Sequence, residues 1–364
     1  MEMFMQVYGE VQEVLLNDLR SKFDTDPNRL EYLRKMMDST CLGGKYNRGL
    51  TVVNVVNSML SSKQCGDHKE DEERRQRILH DACVCGWMIE FLQAHYLVED
   101  DIMDKSLTRR GEPCWYRRPG VTPQCAINDG LILKSWAQRM ATHFLVDRPY
   151  FQDLHRYFNE VDYTTAVGQF YDVTSMFDSN KLDPELPKPT EVDYKEFTWA
   201  NYKRIVKYKT AYYTYFLPLV MGLLVSGAQS VVDMGTTEQL ATLMGEYFQV
   251  QDDVMDCFTP PEKLGKIGTD IQDAKCSWLA VKFLEKADAA QLEEFKANYG
   301  SEDAEKVAAV KRLYEVVNLR GDYDAYEASV SEQVKRLIEK LRGNSPGFAA
   351  SAEKLWGITY KRQK

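Results

Sequence analysis

Apolar residues recur along most of the chain at intervals of three and four positions, the spacing that places them on one face of an α-helix. This spacing predicts helices over residues 2–20, 28–38, 50–60, 78–104, 126–146, 150–172, 196–225, 236–258, 275–297, 302–319 and 323–342. Pro218 predicts a kink in the seventh of these helices. No stretch alternates apolar and polar residues over the length of a strand. The pattern therefore predicts an all-α protein.

The segment Ile78–Asp104 is apolar nearly all round, which is typical of a helix buried on every side. Residues 61–77 before it are polar and charged, and they are predicted to form a loop and the solvated start of a helix. Residues 177–193 contain three prolines and are predicted to form a second loop. No linker rich in Gly or Ser divides the chain. We therefore expect one all-α domain over residues 1–364, built as a single large helical bundle.

Composition argues against nucleic-acid-binding and membrane-spanning proteins. The formal net charge is −9 at pH 7, whereas general nucleic-acid binders are basic. The longest nearly apolar run, Phe216–Val225, is too short to span a bilayer, and residues 1–20 lack the apolar core of a signal peptide. The eight cysteines are scattered without a Cys-x-x-Cys pair, as is typical of free thiols in a reducing compartment. We expect a soluble, cytoplasmic protein with no nucleic-acid partner and no membrane span.

One acidic pattern, Asp-Asp-x-x-Asp, occurs twice, at Asp100–Asp104 and at Asp252–Asp256. Each copy ends a strongly apolar predicted helix, where an uncompensated carboxylate is costly. A single copy is also typical of a solvated acidic helix end, but that interpretation explains two copies poorly. The EF-hand loop, the Glu-x-x-His pairs of di-iron bundles, the zinc motif His-Glu-x-x-His and the P-loop are all missing from the sequence.

Helical geometry gives the repeated pattern a chemical meaning. Two carboxylates of each copy share one helix face, namely Asp100 and Asp104 in the first and Asp252 and Asp256 in the second. The middle aspartates, Asp101 and Asp253, point about 100° away. Carboxylates one turn apart repel each other unless a cation lies between them. Mg²⁺ suits this arrangement because it takes few carboxylates, keeps several waters and bridges to substrate phosphates.

Further motifs follow one another along nearly the whole chain. They are Gly43–Gly49, Leu92-Gln93, Asp100–Asp104 with Leu107–Gly111, Gly168-Gln169 with Asp172, Lys209-Thr210, Phe248–Asp253, Lys266–Asp270 with Lys275, and the basic segment Tyr360–Lys364. On these motifs the chain resembles the trans-prenyltransferases of the polyprenyl synthetase family, and most closely the farnesyl diphosphate synthases of eukaryotes.

The resemblance implies a fold and a reaction. The fold is the isoprenoid synthase fold, with ten or more helices around a central cavity, the two acidic motifs facing each other across its mouth, and a homodimer as the assembly. The reaction is the head-to-tail condensation of isopentenyl diphosphate with dimethylallyl diphosphate and then with geranyl diphosphate. It proceeds by ionisation of the allylic diphosphate, condensation and proton elimination. The implied partners are these allylic and homoallylic diphosphates.

The resemblance also implies roles for individual residues. Three Mg²⁺ ions, with Mn²⁺ as a possible substitute, are expected at Asp100, Asp101, Asp104, Asp252, Asp253 and Asp256, with support from Asp270. The residues implied to bind the allylic diphosphate are Arg109, Gln169, Asp172, Lys209 and Lys266. Those implied to bind isopentenyl diphosphate are Gly44, Lys45, Arg48, Gln93 and Arg110. The implied catalytic set is Asp100, Asp104, Asp252, Lys209, Thr210, Gln249 and Arg109, with Tyr213 as an aromatic face towards the carbocation.

Product length is expected to depend on His95 and Tyr96, which lie five and four residues before Asp100. One helical turn, about 5.4 Å, separates Tyr96 from the acidic motif, so bulk there would form the floor of the pocket. Family members with two aromatic residues at these positions make the fifteen-carbon product. His95 departs from the commoner Phe but is still bulky. Ordinary core packing of both residues is the competing interpretation.

Three alternatives stay open on the sequence. A geranylgeranyl diphosphate synthase would use the same motifs with a deeper pocket. A non-catalytic prenyl synthase subunit would be expected to lose one acidic motif, whereas this chain keeps both. A class I terpene cyclase normally has Ser or Thr at the end of its second metal motif, followed by a Glu. The second motif here is again Asp-Asp-x-x-Asp, which favours chain elongation.

Overall fold

The computed structural model describes residues 1–62, 69–187, 191–265 and 267–362. Within these ranges nearly all regular structure is helical. The only strands described are the two-residue β1 (Thr108–Arg109) and β2 (Glu112–Pro113), which pair antiparallel. The predicted all-α class is therefore confirmed.

Two groups of helices follow one another along the chain. The first group is α1 (Glu2–Phe23), α2 (Pro27–Cys41), α3 (Asn47–Ser62), α4 (Lys69–Met103), α5 (Pro123–Leu145) and α6 (Phe151–Thr174). The second group is α7 (Trp199–Val206), a π-helical segment (Lys207–Phe216), α8 (Leu217–Ser226), α9 (Met234–Phe258), α10 (Pro261–Leu264), α11 (Trp278–Lys286), α12 (Ala289–Asn298), α13 (Ala304–Val316), α14 (Leu319–Asn344) and α15 (Pro346–Thr359).

Most predicted helices are present, and the differences have local causes. Helix α4 starts at Lys69, nine residues before the predicted apolar helix and within the segment expected to hold its solvated start, and its residues 72–77 are exposed. The predicted helix 275–297 is two helices, since Asp288 forms a capping box with Gln291 that starts α12. The predicted helix 196–225 contains the π-helical segment, and Pro218 lies in the first turn of α8 directly after it. Helix α15 was not predicted.

The described chain divides into two compact units. The first consists of Met1–Asp162, Tyr213–Leu240 and Arg336–Tyr360, and the second of Tyr163–Tyr212, Ala241–Lys335 and Lys361–Lys364. The first unit contains the first acidic motif, and the second unit contains the second. The expectation of one domain over residues 1–364 stays a prediction.

Helix α4 forms the centre of the first unit. Trp87 is fully buried, stacks on Phe4 with ring centroids 4.5 Å apart, and donates from Nε1 to the Phe4 carbonyl oxygen at 2.6 Å. Helices α3 and α4 approach closely at two glycines, because a Cβ on Gly86 would lie 2.7 Å from the carbonyl oxygen of Gly49. This packing fixes the helix that carries the first acidic motif against the helix that carries Arg48.

An aromatic core holds the second unit together. Phe295 stacks on Phe283 with centroids 4.8 Å apart and on Tyr299 at 4.5 Å, and Trp278 is fully buried beside them in the same cluster. Val250 and Cys257 of α9 belong to this cluster. The helix that carries the second acidic motif is thus anchored on its apolar face, while Asp252 stays partly exposed.

None of the helices in the described ranges combines the length and the apolar composition that a bilayer span requires.

We predict that two identical substitutions have opposite effects on stability. A Cβ on Gly222 of α8 would lie 2.5 Å from Cβ of Val55 on α3, so Gly222→Ala should lower the free energy of unfolding by about 1–3 kcal/mol. Gly9 of α1 has no atom within 4 Å of such a Cβ, so Gly9→Ala should raise it by up to about 1 kcal/mol. Urea unfolding followed by circular dichroism measures both. Equal stabilisation by the two variants would contradict the close packing of α3 on α8.

Candidate active site

The first acidic motif lies at the C-terminal end of α4. The backbone N–H of Asp104 donates to the Asp100 carbonyl oxygen at 2.9 Å, so the helical turn continues through the motif. The Asp101 side chain is only 5% exposed, and that of Asp100 is 21% exposed. Arg109, on β1, explains this difference because its Nη2 lies 2.6 Å from Asp101 Oδ1 and 3.7 Å from Asp100 Oδ2. Asp101 is therefore an inner ion-pair partner, and Asp100 lies further out.

The second acidic motif repeats this arrangement with different donors. Asp253 is buried, its Oδ2 accepts from the backbone N–H of Trp278 at 2.7 Å, and its Oδ1 accepts from Gln249 Nε2 at 3.0 Å. Burial raises the pKa of Asp253, and these hydrogen bonds oppose that rise. Trp278 is the first residue of α11, so Asp253 binds α9 to the start of the next long helix. In both motifs the middle aspartate turns inward to a donor of the chain.

The outer aspartates of the second motif have partners of their own. Asp252 Oδ1 lies 2.8 Å from Arg362 Nη2, and the Asp252 side chain is 30% exposed. Asp256 Oδ1 accepts from the backbone N–H of Asp270 at 3.2 Å. A Cβ on Gly268 would lie 2.2 Å from the Asp256 carbonyl oxygen, so only glycine permits this approach. Asp270 therefore supports Asp256 through its backbone.

The carboxylates of the two motifs fit Mg²⁺ better than a metal that needs three or more ligands from the protein. Within residues 1–62, 69–187, 191–265 and 267–362, no group of three or more His, Cys, Asp or Glu side chains is arranged to hold a metal ion. Mg²⁺ is usually bound through one or two carboxylates together with waters and substrate phosphates. Each motif offers only oxygen donors, and two of its three carboxylates lie on one helix face. The two motifs therefore offer oxygen donors of the kind that Mg²⁺ takes.

Two lysines converge on Asp172 of α6 in the second unit. Lys209 Nζ lies 2.7 Å and Lys275 Nζ lies 2.9 Å from Asp172 Oδ2. Close backbone packing positions Lys209, because a Cβ on Gly168 would lie 2.1 Å from the Lys209 backbone nitrogen. Of the residues expected to bind the allylic diphosphate, Asp172 and Lys209 are thus in contact, and Gln169 is buried on the same helix as Asp172. Lys266 lies outside the described residues.

The π-helical segment places polar atoms beside the second motif. Thr210 Oγ1 donates to Gln249 Oε1 at 3.0 Å, and the Gln249 amide in turn donates to Asp253. A Cβ on Gly245 of α9 would lie 2.3 Å from Cβ of Ala211, which shows how closely α9 packs on this segment. Single π-turns are frequent at functional sites, and here ten residues have this geometry. Thr210 and Gln249 are thus oriented by the chain itself.

A second group of polar residues lies around Arg48 of α3 in the first unit. Arg48 donates to Thr214 Oγ1 at 2.9 Å and to the Tyr213 hydroxyl at 3.1 Å, and its guanidinium carbon lies 4.8 Å from the Tyr213 ring centroid. With the Gln93 amide oriented to satisfy both of its neighbours, its oxygen accepts from Arg48 Nη1 at 2.7 Å and its nitrogen donates to Glu90 Oε2 at 3.2 Å. The structure therefore brings Arg48 and Gln93 into contact.

The glycine-rich segment after α2 lies against Arg110. Arg110 Nη1 donates to the Leu42 carbonyl oxygen at 2.7 Å, and a Cβ on Gly44 would lie 3.1 Å from Arg110 Nη2. Gly43 has a φ of +80° and donates from its backbone N–H to the Tyr46 hydroxyl at 3.1 Å. Lys45 is exposed between them. Gly44 and Arg110, both expected to bind isopentenyl diphosphate, thus lie close together.

Two further residues contact predicted site residues, and the sequence assigned neither of them a role. Lys275 shares Asp172 with Lys209, and Arg362 contacts Asp252. Both positions stand within motifs of the resemblance, Lys275 after Lys266–Asp270 and Arg362 within the basic segment Tyr360–Lys364. Their place in these motifs was the one sequence feature that could have pointed to them. The carboxylate that each one contacts lies 103 and 110 residues away, beyond the reach of local periodicity.

Comparisons with known proteins show the family to which this chain is similar. The polyprenyl synthetase family model matches residues 30–317. Farnesyl pyrophosphate synthase 2 of Parthenium argentatum is 40% identical over 99% of this chain and 98% of its own length. Farnesyl pyrophosphate synthase 1, mitochondrial, of Arabidopsis thaliana is 41% identical over 99% of this chain and 87% of its own length. A T. brucei farnesyl diphosphate synthase solved with the bisphosphonate BPH-722 has a TM-score of 0.96 and 74% identity, covering 100% of this chain and 99% of that one.

These relatives confirm the predicted isoprenoid synthase fold and the predicted enzyme class, a prenyltransferase of isoprenoid biosynthesis. They also agree on farnesyl diphosphate synthase activity and do not favour the geranylgeranyl alternative. The family match, the full-length relatives and the doubled acidic motif lead to one conclusion. The chain belongs to the polyprenyl synthetase family.

Proposed function

We propose that this chain is a Mg²⁺-dependent farnesyl diphosphate synthase whose site residues have the roles that the family resemblance implies. It condenses isopentenyl diphosphate with dimethylallyl diphosphate and then with geranyl diphosphate. The observation that carries the proposal is the shared design of the two acidic motifs. In each motif the inner aspartate, Asp101 or Asp253, is satisfied by the chain, and the partly exposed Asp100 and Asp252 lie further out.

The ligands bound in similar structures support a site for a diphosphate. T. brucei farnesyl diphosphate synthase has been solved in complex with risedronate and with minodronate, and the former structure is 74% identical to this chain with a TM-score of 0.95. A bisphosphonate carries two phosphonate groups on one carbon, which is the charge pattern of a diphosphate. A ligand of this charge needs several cations in a chain with a net charge of −9.

The allylic diphosphate binds at the acidic motifs. Asp100, Asp104 and Asp252 would hold Mg²⁺, three ions in the family pattern, with Mn²⁺ as a possible substitute. Bound there, the metal would supply the positive charge that lets the diphosphate act as a leaving group. Lys209 and Arg109 add positive charge from the chain, and we assign Lys266 the same role from the motif. Asp172 holds Lys209 Nζ in a fixed position at 2.7 Å, so less side-chain entropy is lost on binding.

Isopentenyl diphosphate binds through residues of the first unit without a metal. Arg48 and Arg110 offer planar guanidinium groups, which suit two-point contacts with a phosphate. Gln93 holds Arg48 Nη1, and Gly44 lets the backbone approach Arg110. Lys45 is exposed and adds a flexible charge at the same segment.

The chain then guides three bond changes. The allylic C–O bond breaks, and its electron pair leaves with the diphosphate. Dipoles of Thr210 and Gln249 and the ring of Tyr213 face the resulting carbocation. The double bond of isopentenyl diphosphate supplies the electrons for the new C–C bond, and the released diphosphate accepts the proton that leaves the neighbouring carbon.

Two properties of the assembly belong to this proposal. We infer a homodimer from the family resemblance, and sedimentation equilibrium of the 42.0 kDa chain tests it by the mass in solution. We infer a cytoplasmic location because the cysteines, scattered without a Cys-x-x-Cys pair, are typical of free thiols in a reducing compartment, although one Arabidopsis thaliana relative is named mitochondrial. Fractionation with an antibody against the chain tests the location, and recovery in mitochondria would overturn it.

We predict that removing one outer carboxylate from either motif abolishes most of the turnover. Asp104→Asn and Asp252→Asn should each lower kcat roughly 10²-fold or more, because each removes a metal ligand without removing bulk. Asp324→Asn is the control, since Asp324 is an exposed residue of α14. Incorporation of labelled isopentenyl diphosphate measures kcat. Wild-type kcat in both motif variants at saturating Mg²⁺ would refute their assignment as ligands.

We predict that chelation stops the reaction without unfolding the protein. The carboxylates that are expected to meet the metal also contact chain donors, Arg109 at Asp100 and Arg362 at Asp252, so their charge is compensated without it. EDTA should therefore abolish product formation and leave the thermal unfolding curve nearly unchanged. Addition of Mg²⁺ or Mn²⁺ in excess should restore turnover. Turnover that persists in EDTA would contradict the metal-dependent mechanism.

A further inference from the structure

Polar contacts connect Tyr96 of α4, the residue expected at the pocket floor, to helices α5 and α6. The Tyr96 hydroxyl donates towards Asp162 of α6, whose Oδ1 lies 2.8 Å away and whose carbonyl oxygen lies 2.7 Å away. Asp162 Oδ2 lies 2.7 Å from Lys134 Nζ on α5. The Asp162 side chain is 9% exposed, so both contacts are made largely out of water. Tyr96 is thereby attached to α5 and α6 as well as to its own helix.

His95 is fixed independently at the neighbouring position. Its Nδ1 lies 2.9 Å from the Gly130 carbonyl oxygen on α5, and because a carbonyl only accepts, Nδ1 carries the proton. Burial, with Lys134 nearby, lowers the pKa of His95 to about 4, so the imidazole is neutral at physiological pH. The His95 and Tyr96 ring centroids lie 4.8 Å apart. An uncharged histidine and a tyrosine with a bonded hydroxyl thus form one surface that can face a hydrocarbon chain.

We propose that Asp162 is a positioning residue for product length, acting through the Tyr96 hydroxyl. This inference rests on the proposed function. A pocket floor made only of bulk would need the tyrosine ring and nothing else. Here the hydroxyl is also held by Asp162, which offers it a carbonyl oxygen at 2.7 Å and a buried carboxylate oxygen at 2.8 Å, and a hydrogen bond to a carboxylate is stronger than one between neutral groups. Without that bond the ring can rotate away from the growing chain, and the pocket deepens.

The first test removes the hydroxyl and keeps the ring. Tyr96→Phe should raise the ratio of twenty-carbon to fifteen-carbon product about tenfold, the change that follows from about 1.4 kcal/mol. Tyr150→Phe is the matched control, because Tyr150 also donates to a buried aspartate, Asp81, that is paired with a cation, Arg148. The control should lose similar stability and leave the product ratio unchanged. Products are hydrolysed and sized by chromatography, and thermal unfolding reports stability.

The second test asks whether Asp162 acts through Tyr96. Asp162→Asn keeps the size of the side chain but loses the ion pair with Lys134, so it should also raise the product ratio. In the Tyr96→Phe background the same change should add nothing. A purely structural role for Asp162 would lower the unfolding temperature in both backgrounds and leave the ratio at the wild-type value.

The possible results separate this inference from the proposed function. A Tyr96→Phe enzyme that makes only the fifteen-carbon product overturns the inference, since ring bulk alone then sets the length. Additive effects of Tyr96→Phe and Asp162→Asn also overturn it, because Asp162 then acts by another route. Absence of any condensation product from the unaltered chain would instead overturn the proposed function. If Tyr96→Phe fails to fold, the ratio measured with Asp162→Asn alone decides.

Discussion

The cost of removing carboxylates from water is the constraint on which this site depends. Both acidic motifs stand near the ends of apolar helices, where a charge without a partner is strongly destabilising. The chain resolves this by dividing the three aspartates of each motif. The middle one turns inward to a strong donor, the guanidinium of Arg109 for Asp101 and the α11 backbone for Asp253. Asp100 and Asp252 lie further out and are partly exposed, whereas Asp256 is buried and accepts from the Asp270 backbone.

Close backbone approach is the second requirement, and glycine supplies it. Gly168 lets α6 meet the backbone of Lys209, and Gly245 lets α9 meet Ala211 in the same π-helical segment. In both places a methyl group would overlap backbone or Cβ atoms, so the segment cannot relax without moving the lysine. Lys209 is therefore positioned by packing and by Asp172 together, and neither alone would hold a long, flexible side chain.

Sequence patterns predicted the features that depend on local geometry. Helical periodicity predicted the helices and also which two aspartates of each motif share one helix face. It did not predict the break at Asp288, where the capping box competes with an otherwise continuous apolar pattern. The π-helical segment was also missed, because a change from α to π geometry alters the period within a single helix. The contact of Arg362 with Asp252 depends on residues 110 positions apart, so only the folded chain shows it.

The position of Arg362 changes what a metal titration of this protein measures. Its guanidinium lies 2.8 Å from Asp252, 3.2 Å from Gln251 Oε1 and 3.6 Å from the centroid of the Phe248 ring. A divalent cation that binds Asp252 Oδ1 therefore exchanges with a counterion that is covalently part of the chain. The apparent association constant equals the intrinsic one multiplied by the fraction of molecules in which the guanidinium has moved away. Under the proposed function, a metal ion at the second motif has to displace a positive charge that the chain itself supplies.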